Sequence, residues 1–173
     1  MTEATKAVAA DYPDVKFAAI FQNINVDGET YANVWDTEYR GEECTYVTGA
    51  IAATLSESGV LGYISGDEAS GVCEAASGFM QGALSVNPDV DVKFMSVNSY
   101  EDPAKAKEIA NAMIAEGVDA IQTDAGNSQI GVIEAANEAG IYVSGDVSDN
   151  SALCPNGFYA YMGIDFGENV YQA

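Results

Sequence analysis

Histidine is absent from this chain, which removes the commonest general base and the commonest metal ligand together. Basic residues are scarce: 6 Lys and Arg stand against 27 Asp and Glu, a formal net charge of −21. Binding to phosphate backbones or anionic headgroups depends on Lys and Arg. The balance therefore argues against nucleic acid and membrane surfaces as partners and disfavours free nucleotides relative to neutral or cationic small molecules. Cysteine is thin, with Cys44, Cys73 and Cys154 far apart, no C-x-x-C pair and no zinc-like spacing. Such a chain is poor material for a metalloenzyme, and an odd count leaves at least one thiol unpaired. No run approaches the roughly 18 apolar residues of a membrane helix, and Met1-Thr2-Glu3-Ala4 lacks the basic-then-apolar order of a signal peptide.

What is present is ordinary globular material. The chain has 173 residues, 48% hydrophobic and 19% charged, enough for one α/β domain or for parts of two lobes. Strand-length runs rich in Val, Ile, Phe or Tyr fall at 16–21, 33–39, 60–65, 92–97, 119–123, 141–145 and 158–164, each bounded by Gly, Pro, Asn or Asp. Helical patterns lie between them at 2–12, 42–57, 68–85, 103–116 and 128–139. Strand–helix alternation at this rhythm predicts βαβ units and a largely parallel sheet flanked by helices. Asp102-Pro103 reads as an N-cap before a proline at the first helical position, and Gly117 and Gly140 stand where helix-ending glycines belong. Ala106, Ile109, Ala110, Met113 and Ile114 make an apolar stripe that predicts packing on the sheet.

Two polar, irregular stretches, 22–31 and 146–157, follow predicted strand ends, where open α/β sheets place ligands. Asp146 and Asp149 have two readings there: acceptors for ligand hydroxyls, or one an Asx-turn cap and the other solvated. Asp124, Gly126 and Asn127, after the next strand, predict a cradle of backbone N–H groups with side-chain bonds. Capping by Asn127 or Ser128 alone is the competing reading. Asp67 and Glu68 sit in a loop that has neither the Lys of a P-loop nor a G-x-G-x-x-G pattern, so a polar neutral guest suits it better than phosphate. Trp35 and Phe21 supply rings able to cover a flat base or sugar, or simply core. No Ser or Cys has a His partner and no G-x-S-x-G elbow exists, so neither a catalytic constellation nor a cofactor is implied.

The order of motifs then becomes specific. Tyr12-Pro13-Asp14-Val15-Lys16-Phe17, Gly59-Val60-Leu61-Gly62-Tyr63-Ile64, Val86-Asn87-Pro88-Asp89, Asn98-Ser99-Tyr100-Glu101-Asp102-Pro103-Ala104-Lys105 and Gly117-Val118-Asp119-Ala120-Ile121 resemble, in order and near spacing, motifs of the basic membrane protein family. This is the PnrA-like, nucleoside-binding group of lipoprotein substrate-binding components of ABC importers. The resemblance implies a periplasmic-binding-protein type I fold of two lobes closing on a ligand by hinge motion. Residues 1–57 would be the C-terminal part of lobe 1, 58–152 lobe 2, and 153–173 the crossover back, with the first lobe incomplete and the chain an interior fragment. It further implies a nucleoside, nucleobase or similar small polar solute as ligand, ABC permease subunits as partners, and an extracytoplasmic, lipid-anchored location. Departures touch the ligand: Phe21 stands where members tend to show an aspartate, and no lysine matches their late "KR-x-D" segment around 161–166. Two rivals remain: a sensor of the same fold, which needs a fused effector, and a nucleoside hydrolase working through Asp67/Glu68 and Asp146/Asp149.

Overall fold

β-branched and aromatic runs bounded by turn residues become strands, and the longer alanine-rich segments between them become helices. The computed structural model describes residues 2–20, 22, 24–25, 28, 30–37 and 39–172, in two units: Met1–Arg40 with Asp165–Ala173, and Gly41–Ile164. In the first unit, α1 (Thr2–Asp11) precedes a parallel pair, β1 (Phe17–Ala19) and β2 (Val34–Asp36), and α6 (Phe166–Gln172) belongs to the same unit. Ala9, Ala19, Ile24 and Val34 form its core. Asp36 organises the loop after β1, its carboxylate accepting the N–H groups of Ile24 at 2.7 Å and Asn25 at 2.8 Å and the Asn25 amide at 3.0 Å. Burial works against the Asp36 charge, yet these hydrogen bonds hold its pKa below the ordinary aspartate value.

The second unit is a five-stranded parallel sheet in the order β4-β3-β5-β6-β7: β3 (Val60–Ser65), β4 (Asp91–Ser96), β5 (Ala120–Asp124), β6 (Tyr142–Val147) and β7 (Phe158–Gly163). Its helices are α2 (Gly41–Leu55), α3 (Ser70–Val86), α4 (Pro103–Ala115) and α5 (Gln129–Ala139). The central strands β3 and β5 are buried along almost their whole length because both faces are covered, Gln122 and Thr123 of β5 included. One core gathers Ile64, Val97, Ile121 and Val143 with Ala106, Ala110 and Met113 of α4 and Val132 and Ile133 of α5; the other gathers Leu61, Tyr63 and Ala120 with Ala52 and Phe79. The predicted stripe on α4 is thus core, with Ile109 and Ile114 packed at its margin.

Local signals explain the boundaries. Asp102 caps α4 by accepting the Lys105 N–H at 3.0 Å, with Pro103 at the first position. Gly140 ends α5 at φ 71°, a left-handed conformation that glycine adopts without penalty. Helices α2 and α3 approach to backbone contact: a Cβ on Gly82 would lie 1.9 Å from the Tyr46 carbonyl oxygen, and one on Gly49 2.0 Å from that of Phe79. This close seam places α2 in the second unit. The units part at Arg40/Gly41 and Ile164/Asp165, where the sequence reading drew boundaries at 57/58 and 152/153. Helix α6 was unexpected, although Asp165 caps it through the Glu168 N–H at 2.8 Å. Among the described residues no helix is long and apolar enough to cross a membrane.

Candidate functional site

Parallel strands carry their loops to one rim. β3 and β5 run in register, Ser65 beside Asp124, and β5 pairs with β6, Gln122 beside Ser144. The segments that follow, around Asp67, Asp124 and Asp146, therefore emerge at the same carboxyl edge, where ligands of open α/β sheets bind. None of the segments 65–67, 98–102, 122–129 and 144–150 contains Lys or Arg.

Asp146 lies at the centre of this rim. It is only 4% exposed, its Oδ2 accepts the Gly126 N–H at 3.3 Å, and its Oδ1 is buried without a hydrogen-bond partner. Burial raises its pKa to about 7, and the neighbouring Asp124 carboxylate adds to the rise. Asp124 is itself raised by burial, against hydrogen bonds from Asp146 and Tyr63; the Tyr63 hydroxyl stands 3.5 Å from its Oδ2. Each of these two neighbouring carboxyls bears on the ionisation of the other. Gln129, at the start of α5, braces the backbone beneath: its Oε1 accepts the Asp146 N–H at 3.1 Å. Val147, the next residue, has φ 57°, a strained conformation for a β-branched side chain that costs of order 1–2 kcal/mol. Strain at a strand end beside an orphaned polar atom is a mark of functional sites.

Tyr100 completes the rim from the loop after β4. Its ring lies against Gly66, where a Cβ would fall 2.2 Å from Cε1, and near Gly126. Burial pushes its hydroxyl pKa up, helped by its hydrogen bond to Asp67 and by the charges of Asp67, Asp124 and Asp146. Even so, 41% of the residue is exposed, leaving ring surface for a guest. Ser128 fixes the loop, donating its hydroxyl to the Ser99 carbonyl at 2.9 Å and accepting the Asp102 N–H at 2.8 Å.

Of the residues singled out in the sequence, the structure brings Asp67, Asp124, Gly126 and Asp146 to one rim. Asp67 also caps the next turn through the Ala69 N–H at 3.0 Å, while Glu68 is exposed. Asn127 points away: its exposed amide donates to both oxygens of Glu101, at 3.0 and 2.9 Å. Asp149 is exposed and accepts the Ser151 N–H at 2.9 Å, the Asx-turn reading, and the hydrogen bonds from Ser151 lower its pKa. Trp35 belongs to the first unit, half-buried on β2 beside a groove lined by Phe17 and Asn33, on the opposite face from the buried Val34. Phe21 lies outside the described residues. Sequence reasoning missed Tyr100 and Gln129. An aromatic just before an N-cap, in a loop following a strand, was the available signal for the first; Gln129 gave none.

Such a rim offers a polar guest an unpartnered carboxyl oxygen and an aromatic surface, which are the means of holding a ligand that carries hydrogen-bond donors. Among the described residues no cluster of His, Cys, Asp and Glu is arranged to hold a metal ion.

Known proteins are similar to this chain in sequence and in fold. Residues 1–160 match the family model described as ABC transporter substrate-binding protein PnrA-like. A purine-binding protein of Brucella abortus is 37% identical over 152 residues, 88% of this chain and 41% of that protein. Basic membrane protein A1 of Borrelia garinii subsp. bavariensis is 30% identical over 171 residues, 98% of this chain and 50% of that protein. The chain spans about half the length of these curated relatives. Among solved structures, an ABC transporter solute-binding protein from Aeropyrum pernix K1 superposes with a TM-score of 0.90 at 23% identity, over 99% of this chain and 50% of that one, a likeness that shows the fold.

Proposed function

Because the chain belongs to the family of PnrA-like ABC transporter substrate-binding proteins, we propose that it is the ligand-binding component of an importer and takes a nucleoside, nucleobase or similar small polar solute at the Asp124–Asp146–Tyr100 rim. The observation that carries this reading is the buried, unpartnered Oδ1 of Asp146. A buried polar atom without a partner is costly, and a ligand N–H or O–H is the natural partner it lacks. The printed name of the Brucella relative, a purine-binding protein, supports a purine-bearing ligand. The acid rim with no Lys or Arg supports the unphosphorylated form, because a phosphate would meet three carboxyl groups and no cation. In this reading Tyr100 covers the flat face of the ligand, Asp67 orients Tyr100, and Asp149 supports the loop. The protein works outside the cytoplasmic membrane, held by a lipid anchor, and hands its ligand unchanged to permease subunits. Residues Gly41–Ile164 form most of one lobe and the first unit belongs to the other.

The test is a thermal-shift screen followed by titration calorimetry against purine nucleosides, purine bases and their 5′-monophosphates, since a ligand that binds only the native state raises the melting temperature. A shift with nucleosides or bases, abolished by Asp146→Asn and absent with monophosphates, is the expected result. A shift only with sugars or amino acids would discard the purine, and a shift unaffected by Asp146→Asn would move the ligand off this rim.

A further inference from the structure

Asp124 and Asp146 stand beyond the backbone ladder that joins their two strands. β5 stays paired with β3 as far as Ser65/Asp124, and β6 with β7 as far as Val147/Gly163, while the pairing of β5 with β6 stops at Gln122/Ser144. Side chains alternate along a strand, so Gln122 shares a face of the sheet with Asp124, and Ser144 shares that face with Asp146. Gln122 and Ser144 thus form the layer beneath the carboxyls, at the point where the two strands part.

Gln122 is fully buried, and its amide bridges the parting. Its Nε2 donates to the Thr123 carbonyl on β5 at 3.0 Å and to the Gly145 carbonyl on β6 at 3.4 Å. Its Oε1 accepts the hydroxyls of Thr48 on α2 at 2.8 Å and of Ser144 at 2.5 Å. These partners fix which way the amide points: turned over, it would set Oε1 against two carbonyl oxygens. Ser144 also meets the Tyr159 hydroxyl of β7 at 2.9 Å. Both amide protons and both acceptor positions of Gln122 are therefore in use, directly beneath an Asp146 oxygen that has no partner.

A side chain that gives one amide proton to each of two diverging strands is a rung at the place where the backbone ladder ends. We propose that Gln122 is a positioning residue of the ligand site, its amide setting the separation of the β5 and β6 ends and with it that of the Asp124 and Asp146 carboxyls. It acts through the backbone of Gly145, the residue before Asp146. Acceptors held in place before the ligand arrives spare binding the cost of ordering them. The role in binding rests on the reading of the rim as the ligand site, whereas the spacing of the carboxyls can be measured with no ligand present. Methionine is the replacement that isolates the rung, because it fills a similar space and makes no amide bond. In Gln122→Met the Thr48 hydroxyl still has the Thr45 carbonyl at 3.1 Å, and Ser144 still has Tyr159. What is lost is the bridge between Thr123 and Gly145.

The test is a carbon-13 NMR titration of the aspartate carboxyls in the ligand-free full chain, with Asp146 identified by the signal missing from Asp146→Asn and folding checked by circular dichroism. Asp124, Asp67, Tyr63 and Tyr100, the ionisable groups around it, are the same in every positioning variant. In Gln122→Met the strand ends part, water enters and the carboxyls separate, so the Asp146 midpoint is expected to fall by about one pH unit or more from its wild-type position. A merely structural glutamine would lower unfolding stability and leave that midpoint alone. Tyr159→Phe, which takes a hydroxyl from the same cluster and leaves the rung intact, is expected to titrate as the wild type. Thr48→Val, which frees one side of the Gln122 amide, should shift the midpoint downward by less, and it decides the matter if Gln122→Met does not fold. Calorimetry with adenosine should show Gln122→Met weaker by about fivefold or more and Tyr159→Phe unchanged. A wild type that binds no purine would sink the purine reading and leave Gln122 to be judged by the titration. A folded Gln122→Met that titrates as the wild type overturns the proposal, as does one that keeps full affinity while the wild type binds, or an equal shift in Tyr159→Phe. With Gln122→Met unfolded, an unshifted Thr48→Val overturns it.

Discussion

Replacing Asp146 by Asn should stabilise the ligand-free protein at neutral and alkaline pH while weakening its grip on ligand. In the fold Asp146 has a pKa of about 7, against 3.8 for an ordinary aspartate. A folded-state value above the unfolded one means that the native chain binds the proton more tightly. The stability this contributes is complete below about pH 4 and drains away as pH rises through 7. About three pH units at roughly 1.4 kcal/mol each set an upper bound near 4 kcal/mol, and the figure belongs to the Asp124–Asp146 pair, whose two groups titrate together. Asparagine keeps an acceptor for the Gly126 N–H and carries no charge to bury. Urea unfolding followed by far-UV circular dichroism between pH 4 and 8.5 should show the variant ahead of the parent by about 2–4 kcal/mol above pH 7.5, the gap closing towards pH 4. The acidic groups other than Asp124 titrate alike in both proteins and cancel in the difference, so the gap reports the Asp124–Asp146 pair. A gap independent of pH, or a parent more stable than the variant at pH 8, would refute the reasoning. The same change removes the ligand's buried acceptor and should cost at least about tenfold in affinity, so stability and binding move in opposite directions.

Three other perturbations separate the site from its scaffold. Gly82→Ala forces α2 and α3 apart, because its Cβ would meet the Tyr46 carbonyl at 1.9 Å; a loss of about 1–3 kcal/mol is expected, read as a fall of several degrees in melting temperature. Tyr100→Ala leaves its glycine seat empty and should weaken ligand about fivefold or more with little effect on folding, measured by calorimetry beside circular dichroism. Asp149→Ala removes only the cap on the Ser151 N–H and should change affinity less than about threefold; a tenfold loss would return Asp149 to direct ligand contact.

Much of this was legible because the signals are local. The strand at 60–65 is found residue for residue, and those at 92–97, 119–123, 141–145 and 158–164 within a residue or two. Val, Ile and Tyr runs between glycines admit few other structures. Of the strands expected at 16–21 and 33–39, the described residues form Phe17–Ala19 and Val34–Asp36. Strand-end position alone selected Asp124 and Asp146. It did not separate Asp146 from Asp149, which look alike in sequence and differ only in that β6 continues through Asp146 and buries it. Tyr100 entered the site through distant glycines, Gly66 and Gly126, whose missing side chains make room for its ring; such a contact has no signature along the chain. The α2–α3 seam was hidden for the same reason, and with it the division of the chain at Arg40/Gly41.

The most direct measurement of the central claim is calorimetric titration of the protein with adenosine, inosine, guanosine and hypoxanthine, followed by chromatography of the recovered ligand. A binding receptor predicts saturable one-site binding, a loss of that binding in Asp146→Asn, and ligand recovered intact after prolonged incubation. Binding accompanied by release of free base from a nucleoside would make the protein an enzyme, and no binding to any of the four would remove purines from the account of the Asp124–Asp146 rim.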